Sequence, residues 1–363
     1  MVRPTPPFVM ARIGNVLRLL TGLFHCRSTS VTHCSERTLM KRTRLLAPLV
    51  LVTALTLSAC SNAVGTADNS ETDVTIALDW LAQPTNAGAY IALENGYYDD
   101  VGLNVTVQPG GTEASSVKIV AGGGAHFGLE YGGPLLQARE KGIDVVALAP
   151  TLQKSPAVYV YHAGADIKTL ADLNGRTVYT QPSSGDWELT VKEFDLDKVS
   201  PVQFQGSYAP FAADTDAVAQ GYATSTPATL TAQGITVGTI PRISENDYGS
   251  VLFTTRKLID DNPELVEKFV AATVKGWDFI RDEPQKAADI LSAYIEDSSI
   301  EDIVAEFTAQ VPYIWSGDAD THQFGWQTQE RWDAIYELQL RQGTVTDRSA
   351  LDGAWTTDFL PAS

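Results

Sequence analysis

The sequence predicts an α/β fold built on a parallel sheet covered by helices on both faces, with a helical tail after it. Three observations predict it. Short apolar runs of strand length alternate with segments of helical spacing from residue 74 to about 254. Each run breaks into a loop rich in Gly, Pro, Asn, Ser or aromatic residues. Beyond residue 254 the chain turns helical and stays so. With 363 residues, ordinary apolar and charged fractions and no internal repeat, there is mass for two domains.

The N-terminal segment is set aside first. Lys41, Arg42 and Arg44 precede an uncharged run, 45–57, that is too short and too rich in small residues for a membrane span, so a cleaved export signal is expected at 40–59. The run ends in Leu57-Ser58-Ala59-Cys60, which resembles the lipobox of bacterial lipoproteins and makes Cys60 the expected lipidation site. Met40 then reads as the start, and 1–39 as an upstream extension that is not native. The small, polar and acidic stretch 60–73 reads as a flexible tether.

Removing 1–59 takes away eight basic residues and only one acid, Glu36, so the remaining chain is seven charges more acidic than the full-length net charge of −18. Nucleic acid is a poor partner for such a chain. Cys26 and Cys34 fall in the removed part and Cys60 carries lipid, so no cysteine remains for a disulfide, a thiolate metal site or a nucleophile.

Taken in order, 74–78 is a strand that opens at Asp79-Trp80 into a loop, and Thr85 or Asn86 caps the following helix, which Gly96 ends. Strand 103–107 leads through Pro109-Gly110-Gly111 to a helix, 113–121. Gly122-x-Gly124 closes that helix instead of opening one after a strand, the wrong setting for a dinucleotide fingerprint. Strand 127–129 runs into Glu130-Tyr131-Gly132-Gly133, a helix starts at Pro134, and 145–149 is a buried strand. A second α/β unit begins with strands 157–162 and 177–180, the latter opening into 181–187. Strands 202–205 and 217–221 follow, and the loop after 221 reaches Pro227, which starts a helix. Strand 250–254 precedes helices at 263–282, 284–294, 299–311 and 328–342, the last closed by Gly343.

The loops after 78, 129, 180 and 221 sit at the carboxyl ends of strands, where open parallel sheets bind ligands. They carry Trp, Tyr, Ser, Thr, Asn and Gln, a mixture that suits a planar or zwitterionic small molecule. The five histidines are scattered without metal-ligand spacing, and no G-x-S-x-G elbow, phosphate-binding loop or Ser-x-x-Lys occurs, so neither metal, cofactor nor enzymatic chemistry is expected.

The residues then resemble a family. D-W-x-x-x-x-T-N-x-G-x-Y at 79–90, G-Y-Y-D-D-V-G-L-N-V at 96–105, A-R-E-K-G-I-D-V-V-A at 138–147, Q-K-S-P at 153–156, D-L-N-G-R-T-V at 172–178, Q-G-Y-A-T-S at 220–225 and N-P-E-L-V-E-K-F-V at 262–270 are similar to substrate-binding lipoproteins of ABC importers. The branch is the thiamine pyrimidine-precursor, nitrate, sulfonate and taurine-binding superfamily, and the resemblance covers about 73–295.

That resemblance implies a type II periplasmic-binding-protein fold, two α/β lobes with a ligand cleft between them and a helical C-terminal tail. Lobe 1 is expected from 74–157 plus 251–363 and lobe 2 from 158–250, pivoting at about 156–159 and 249–252. The implied function is capture of a small heteroaromatic or amide-bearing nutrient outside the membrane, without catalysis, for a permease and ATPase, by a monomer held through its lipid. Trp80 and Tyr222 would stack on the solute, Asn86, Gln153, Ser183, Ser184, Thr224 and Thr226 would hydrogen-bond it, and Tyr131 and Trp187 would wall the cleft. Thr226 stands where this loop often has Glu in the family, so a carboxylate is missing there. The alternatives are a pyrimidine-synthase-like enzyme, a ligand-sensing ectodomain and a binder of nitrate- or sulfonate-type anions.

Overall fold

The structure, a computed structural model, describes residues 71–111, 114–296 and 298–362. The upstream extension, the export signal, Cys60 and most of the tether lie outside the described residues. The tether's expected end is two residues late, because Thr72 and Asp73 already pair in the first strand.

Ten strands are described: β1 Thr72–Ala77, β2 Leu103–Gln108, β3 Phe127–Glu130, β4 Val145–Leu152, β5 Ala157–His162, β6 Thr177–Thr180, β7 Ser200–Gln203, β8 Val218–Tyr222, β9 Val237–Pro241 and β10 Ser250–Thr255. They form two five-stranded sheets, ordered β2-β1-β3-β10-β4 and β7-β6-β8-β5-β9. The expectation of a purely parallel sheet needs correction. In each sheet four strands run in one direction while β10 or β5, the strand laid down just after the chain has crossed from one sheet to the other, runs antiparallel to both neighbours. Strict alternation of strand and helix describes the segments within a sheet and is blind to the crossings between sheets.

Helices cover both faces of the first sheet. On one side α1 Ala87–Glu94, α8 Pro263–Asp282, α9 Pro284–Leu291 and α10 Ile300–Ile314 enclose a core with Ile76, Leu78, Phe127 and Leu148. On the other, α2 Ser116–Ala121, α3 Gly132–Glu140 and α12 Gln329–Gln342 pack on Ala77, Ala147, Val251 and Phe253. In the second sheet α4 Gly185–Glu193 contributes Trp187 to a core with Tyr159 and Val178, while α5 Ala209–Ala213 and α6 Thr226–Ala232 bury Phe211 and Leu230 against Val160 and Ala219. Short helices α7 Arg256–Asp261 and α11 Asp318–Thr321 complete the tail. None of β9, α5, α7 and α11 carries a periodic signal long enough to read from sequence.

Side-chain and glycine caps bound the helices. Asn262 Oδ1 accepts from Leu265 N–H at 3.2 Å, Thr328 Oγ1 from Arg331 N–H at 3.4 Å, and Gly96 and Gly343 take left-handed φ angles of 72° and 71°. Asn86 does not cap α1. Its Oδ1 turns back to accept from Gln83 N–H at 3.0 Å and its amide donates to Leu81 O at 2.9 Å, so it ties the loop after β1 into a short 3₁₀ turn instead. The helix expected from Pro134 starts two residues earlier, at Gly132.

The tail packs on the sheet it left and reaches past it. Phe269 of α8 stacks on Phe127 with centroids 3.9 Å apart, and Trp355 extends the first sheet beside Ala147, whose N–H donates to Ala354 O at 2.8 Å. From α12, Gln339 accepts from Gln137 of α3 at 2.7 Å, and Arg341 meets Glu193 of α4 at 2.8 Å.

α1 packs closely on α8 in this core through two glycines. A Cβ at Gly276 would stand 2.2 Å from Gly88 O, and one at Gly88 would enter the indole of Trp277. Gly276→Ala is therefore expected to push α8 off α1 and lower unfolding stability by about 1–3 kcal/mol, measured by urea denaturation.

Candidate functional site

A cavity of about 320 Å³ opens where the carboxyl ends of the strands meet, at the lower end of the range for small-molecule sites. The first sheet supplies Asp79 and Trp80 from the loop after β1, Glu130 and Tyr131 from the β3–α3 junction, Leu152 from the end of β4 and Ser250 from the start of β10. The second supplies Tyr222, Thr224 and Ser225 after β8, Pro156 and Gly249 come from the crossings, and α10 lays Glu306 against the hollow. Trp80 and Tyr222, one from each sheet, are 42% and 50% exposed, unusual for such large aromatics and consistent with walls of an open cleft.

Of the ten expected binding residues, Trp80, Tyr131, Tyr222 and Thr224 line this hollow together. The other six stand elsewhere. Asn86 is buried in the turn described above. Gln153 is buried and donates to Trp326 O at 2.9 Å, tying the first crossing to the tail. Ser184 caps α4 by accepting from Trp187 N–H at 3.3 Å and donating to Gln181 O at 2.9 Å. Its neighbour Ser183 belongs to the same turn, outside the cavity lining. Trp187 faces inward with its ring edge-on to Tyr159 at 6.0 Å, core rather than wall. Thr226 accepts from Tyr222 N–H at 2.9 Å and meets the Tyr208 hydroxyl at 3.1 Å, so it shapes the loop that presents Tyr222. Polar residues near a strand end serve caps and turns as readily as ligands, and spacing alone does not separate the two roles.

The electrostatics were not read from the sequence. Three carboxylates, Asp79, Glu130 and Glu306, line the hollow, and none of its lining residues is Lys, Arg or His. Burial pushes Asp79 up to about 6, against the pull of backbone N–H groups and Asn86. Glu130 rises to about 7 through burial and the nearby charge of Asp79, although its Oε1 accepts from Tyr131 N–H at 3.0 Å. Burial alone raises Glu306 to about 7, and it also pushes the Tyr131 phenol well above its ordinary value, so that hydroxyl stays protonated. Behind the cavity, Asp247 caps α3 by accepting from Gly133 N–H at 3.2 Å, and burial takes it to about 7.

Within this polar lining, Asp79 Oδ1, Thr224 Oγ1 and Ser250 Oγ are buried without a hydrogen-bond partner in the protein. Buried polar atoms are ordinarily paired. All three belong to residues that line one hollow. Asp79 and Glu130 had a sequence signal, an acid directly after an apolar strand; Glu306, on an ordinary amphipathic helix, had none.

A family model described as "NMT1/THI5 like" matches residues 83–287. The chain is 22% identical over 309 residues to the formylaminopyrimidine-binding protein of Halalkalibacterium halodurans, covering 79% of this chain and 90% of that protein. It is 23% identical over 317 residues to the riboflavin-binding protein RibY of Chloroflexus aurantiacus, covering 79% and 86%. Its fold is similar to that of the periplasmic aliphatic sulphonate binding protein SsuA from Escherichia coli, with a TM-score of 0.61 at 15% identity over 81% of this chain and 95% of that one. The desulfurization enzyme DSZB shares the fold at a TM-score of 0.52 and 16% identity, over 80% and 97% of the two chains. The two mixed sheets and the tail are thus those of the type II periplasmic-binding-protein fold.

The raised carboxylates set a pH dependence. Asp79, Glu130, Glu306 and Asp247 titrate near 6 to 7 in the folded chain and near about 4 once unfolded, so the folded state holds protons the unfolded chain has released. Their contribution is complete below the unfolded values and is lost as pH rises through the folded ones. Exposed acids held below their usual range, such as Glu140 and Asp172, stabilise throughout this window and lose that contribution only at lower pH, so they do not offset the trend. Thermal melts of the ligand-free protein are therefore expected to give a higher Tm near about pH 5 than near about pH 8, with a shallower slope in Glu306→Gln; a Tm independent of pH across that interval contradicts the assignment.

Proposed function

This chain belongs to the NMT1/THI5-like family, and from that premise we propose that it is the extracytoplasmic solute-binding component of an ABC importer, taking up a small heteroaromatic or amide-bearing nutrient of the thiamine pyrimidine-precursor kind. The observation that carries the reading is the single hollow at the carboxyl ends of both sheets, walled by aromatics from each and lined by unpartnered polar atoms. Relatives named for binding a formylaminopyrimidine and riboflavin, both flat nitrogen heterocycles, support it.

The mechanism is binding and closure. Solute stacks first on Trp80, and Tyr222 with Thr224 closes from the other sheet as the chain pivots about its two crossings. A ligand that touches both sheets only when they are closed shifts the population toward the closed form. In this reading Cys60 bears the lipid that holds the monomer at the membrane, beside the permease and ATPase that take the solute onward.

Relatives named as binding proteins support binding without chemistry. The fold does not decide this, since an enzyme shares it. An anionic solute is opposed by the three carboxylates.

A thermal-shift screen of pyrimidines, other vitamins, sulfonates and amino acids is expected to return a nitrogen heterocycle as a stabilising hit. Trp80→Ala and Tyr222→Ala should each weaken that hit at least about tenfold by calorimetry while leaving the ligand-free melt within a few degrees. Unchanged affinity in both variants rules out this hollow as the binding site.

A further inference from the structure

The acids of the hollow raise a question that solute capture alone does not answer. An uncompensated buried carboxylate is costly, and removing its counter-charge leaves a large penalty. Here Asp79, Glu130 and Glu306 face one cavity from three separate elements, the loop after β1, the end of β3 and α10. The nearby cations are engaged elsewhere: Arg242 donates to Asp186 at 2.7 Å, and Lys154 lies 4.9 Å over the Tyr313 ring. Neither lines the cavity.

With a neutral solute these acids gain no counter-charge and keep protons instead, and an anion holds them protonated or is repelled by them. A cation would relieve Asp79 and Glu130, whose charges already act on one another, with Glu306 across the same hollow. The remaining surface fits such a guest, since Trp80, Tyr131 and Tyr222 offer aromatic faces that attract a positive centre. Asp79 Oδ1, Thr224 Oγ1 and Ser250 Oγ, all without protein partners, favour one that carries N–H donors over a quaternary ammonium.

Building on the solute-capture reading, we propose that the hollow selects a flat organic cation bearing N–H donors, an amidinium or protonated amino-heterocycle, gripped by Asp79 and Glu130 with Glu306 closing the third side. The carboxylate missing at Thr226 in the second sheet is thereby supplied from the first. Charge and donor geometry set the specificity, and ring identity comes second.

The test uses three probes of nearly one shape and three charges, benzamidine, benzamide and benzoate, titrated into the intact protein by calorimetry near neutral pH. Benzamidine is expected to bind at least about tenfold more tightly than benzamide, with benzoate weakest. Asp79→Asn with Glu130→Gln should abolish the preference for benzamidine, and Glu306→Gln alone should reduce it without loss of the folded melt. Benzamide or benzoate binding as well as benzamidine overturns the proposal, as does failure of all three up to millimolar concentration or a preference that survives both sets of substitutions. The two readings fail separately. A neutral or anionic screening hit that depends on Trp80 keeps solute capture and sinks the cation, whereas the absence of any Trp80-dependent ligand sinks both.

Discussion

The two strands of backbone that pass between the sheets, 153–156 and 242–249, are bound to each other, and the site depends on that contact. Ser155 N–H donates to Glu245 O at 3.1 Å, and Gly249 N–H to Leu152 O at 3.1 Å. They run so close that a Cβ on Gly249 would stand 2.7 Å from Lys154 O, which is why glycine occupies the position. Because both crossings emerge at the same edge, the carboxyl ends of β1, β3, β4 and β8 and the start of β10 all face one gap. The antiparallel strands β5 and β10 follow from the same geometry, since a chain that has just crossed enters its new sheet from the edge facing the other one. A pivot at this pair would change the distance between the sheets while leaving each sheet's own hydrogen bonds intact.

The tail belongs to this arrangement. Gln153 at the first crossing donates its N–H to Tyr313 O at 2.6 Å and its side-chain amide to Trp326 O, so the crossing is held to the end of α10 and to the loop before α12. The same α10 carries Glu306 to the cavity, which makes the tail part of the site. α12 is buried against the first sheet through Trp332 and Ile335, and at its far end it meets α4 of the second through the half-exposed pair Arg341 and Glu193 and through Gln342, which lies beside Gly185. A surface ion pair of that kind contributes little and yields easily. The first sheet therefore holds the tail more firmly than the second does.

Sequence reasoning reached the elements better than their company. Val74, Ile76 and Leu78 declare a buried strand, and Leu265, Phe269, Val270, Val274 and Trp277 declare one face of a helix, because burial writes its period directly into the chain. The crossings leave no period, so β5 and β10 were legible as strands while their antiparallel direction was not. Aromatics at strand ends were legible as cavity walls for the same local reason, and Trp80, Tyr131 and Tyr222 meet as a result. Trp187 shared that signature and went into a core, since only the packing of α4 decides which way its ring points. Ser184 and Asn86 show the other ambiguity, in which a polar side chain satisfies its own backbone before it can serve a ligand. Glu306 was beyond reach, being some 175 residues from Glu130 in the chain and adjacent to it only through the fold.

The placement of charge bears on how closure would proceed. All three acids of the hollow lie on the first sheet or on α10 packed against it, whereas the second sheet brings Tyr222, Thr224 and Ser225, which are uncharged. Electrostatic attraction therefore acts before closure and on one side only, and it draws a guest to the half that already carries Trp80. Closure then adds dispersion and hydrogen bonding from uncharged groups, whose desolvation costs far less than that of a charge. Had the carboxylate stood at position 226 on the second sheet, every opening and closing would have to strip and restore the water around an ion. With Thr226 there, its hydroxyl instead accepting from Tyr222 N–H, the second sheet brings only neutral groups to the hollow and the ionic cost falls on the first.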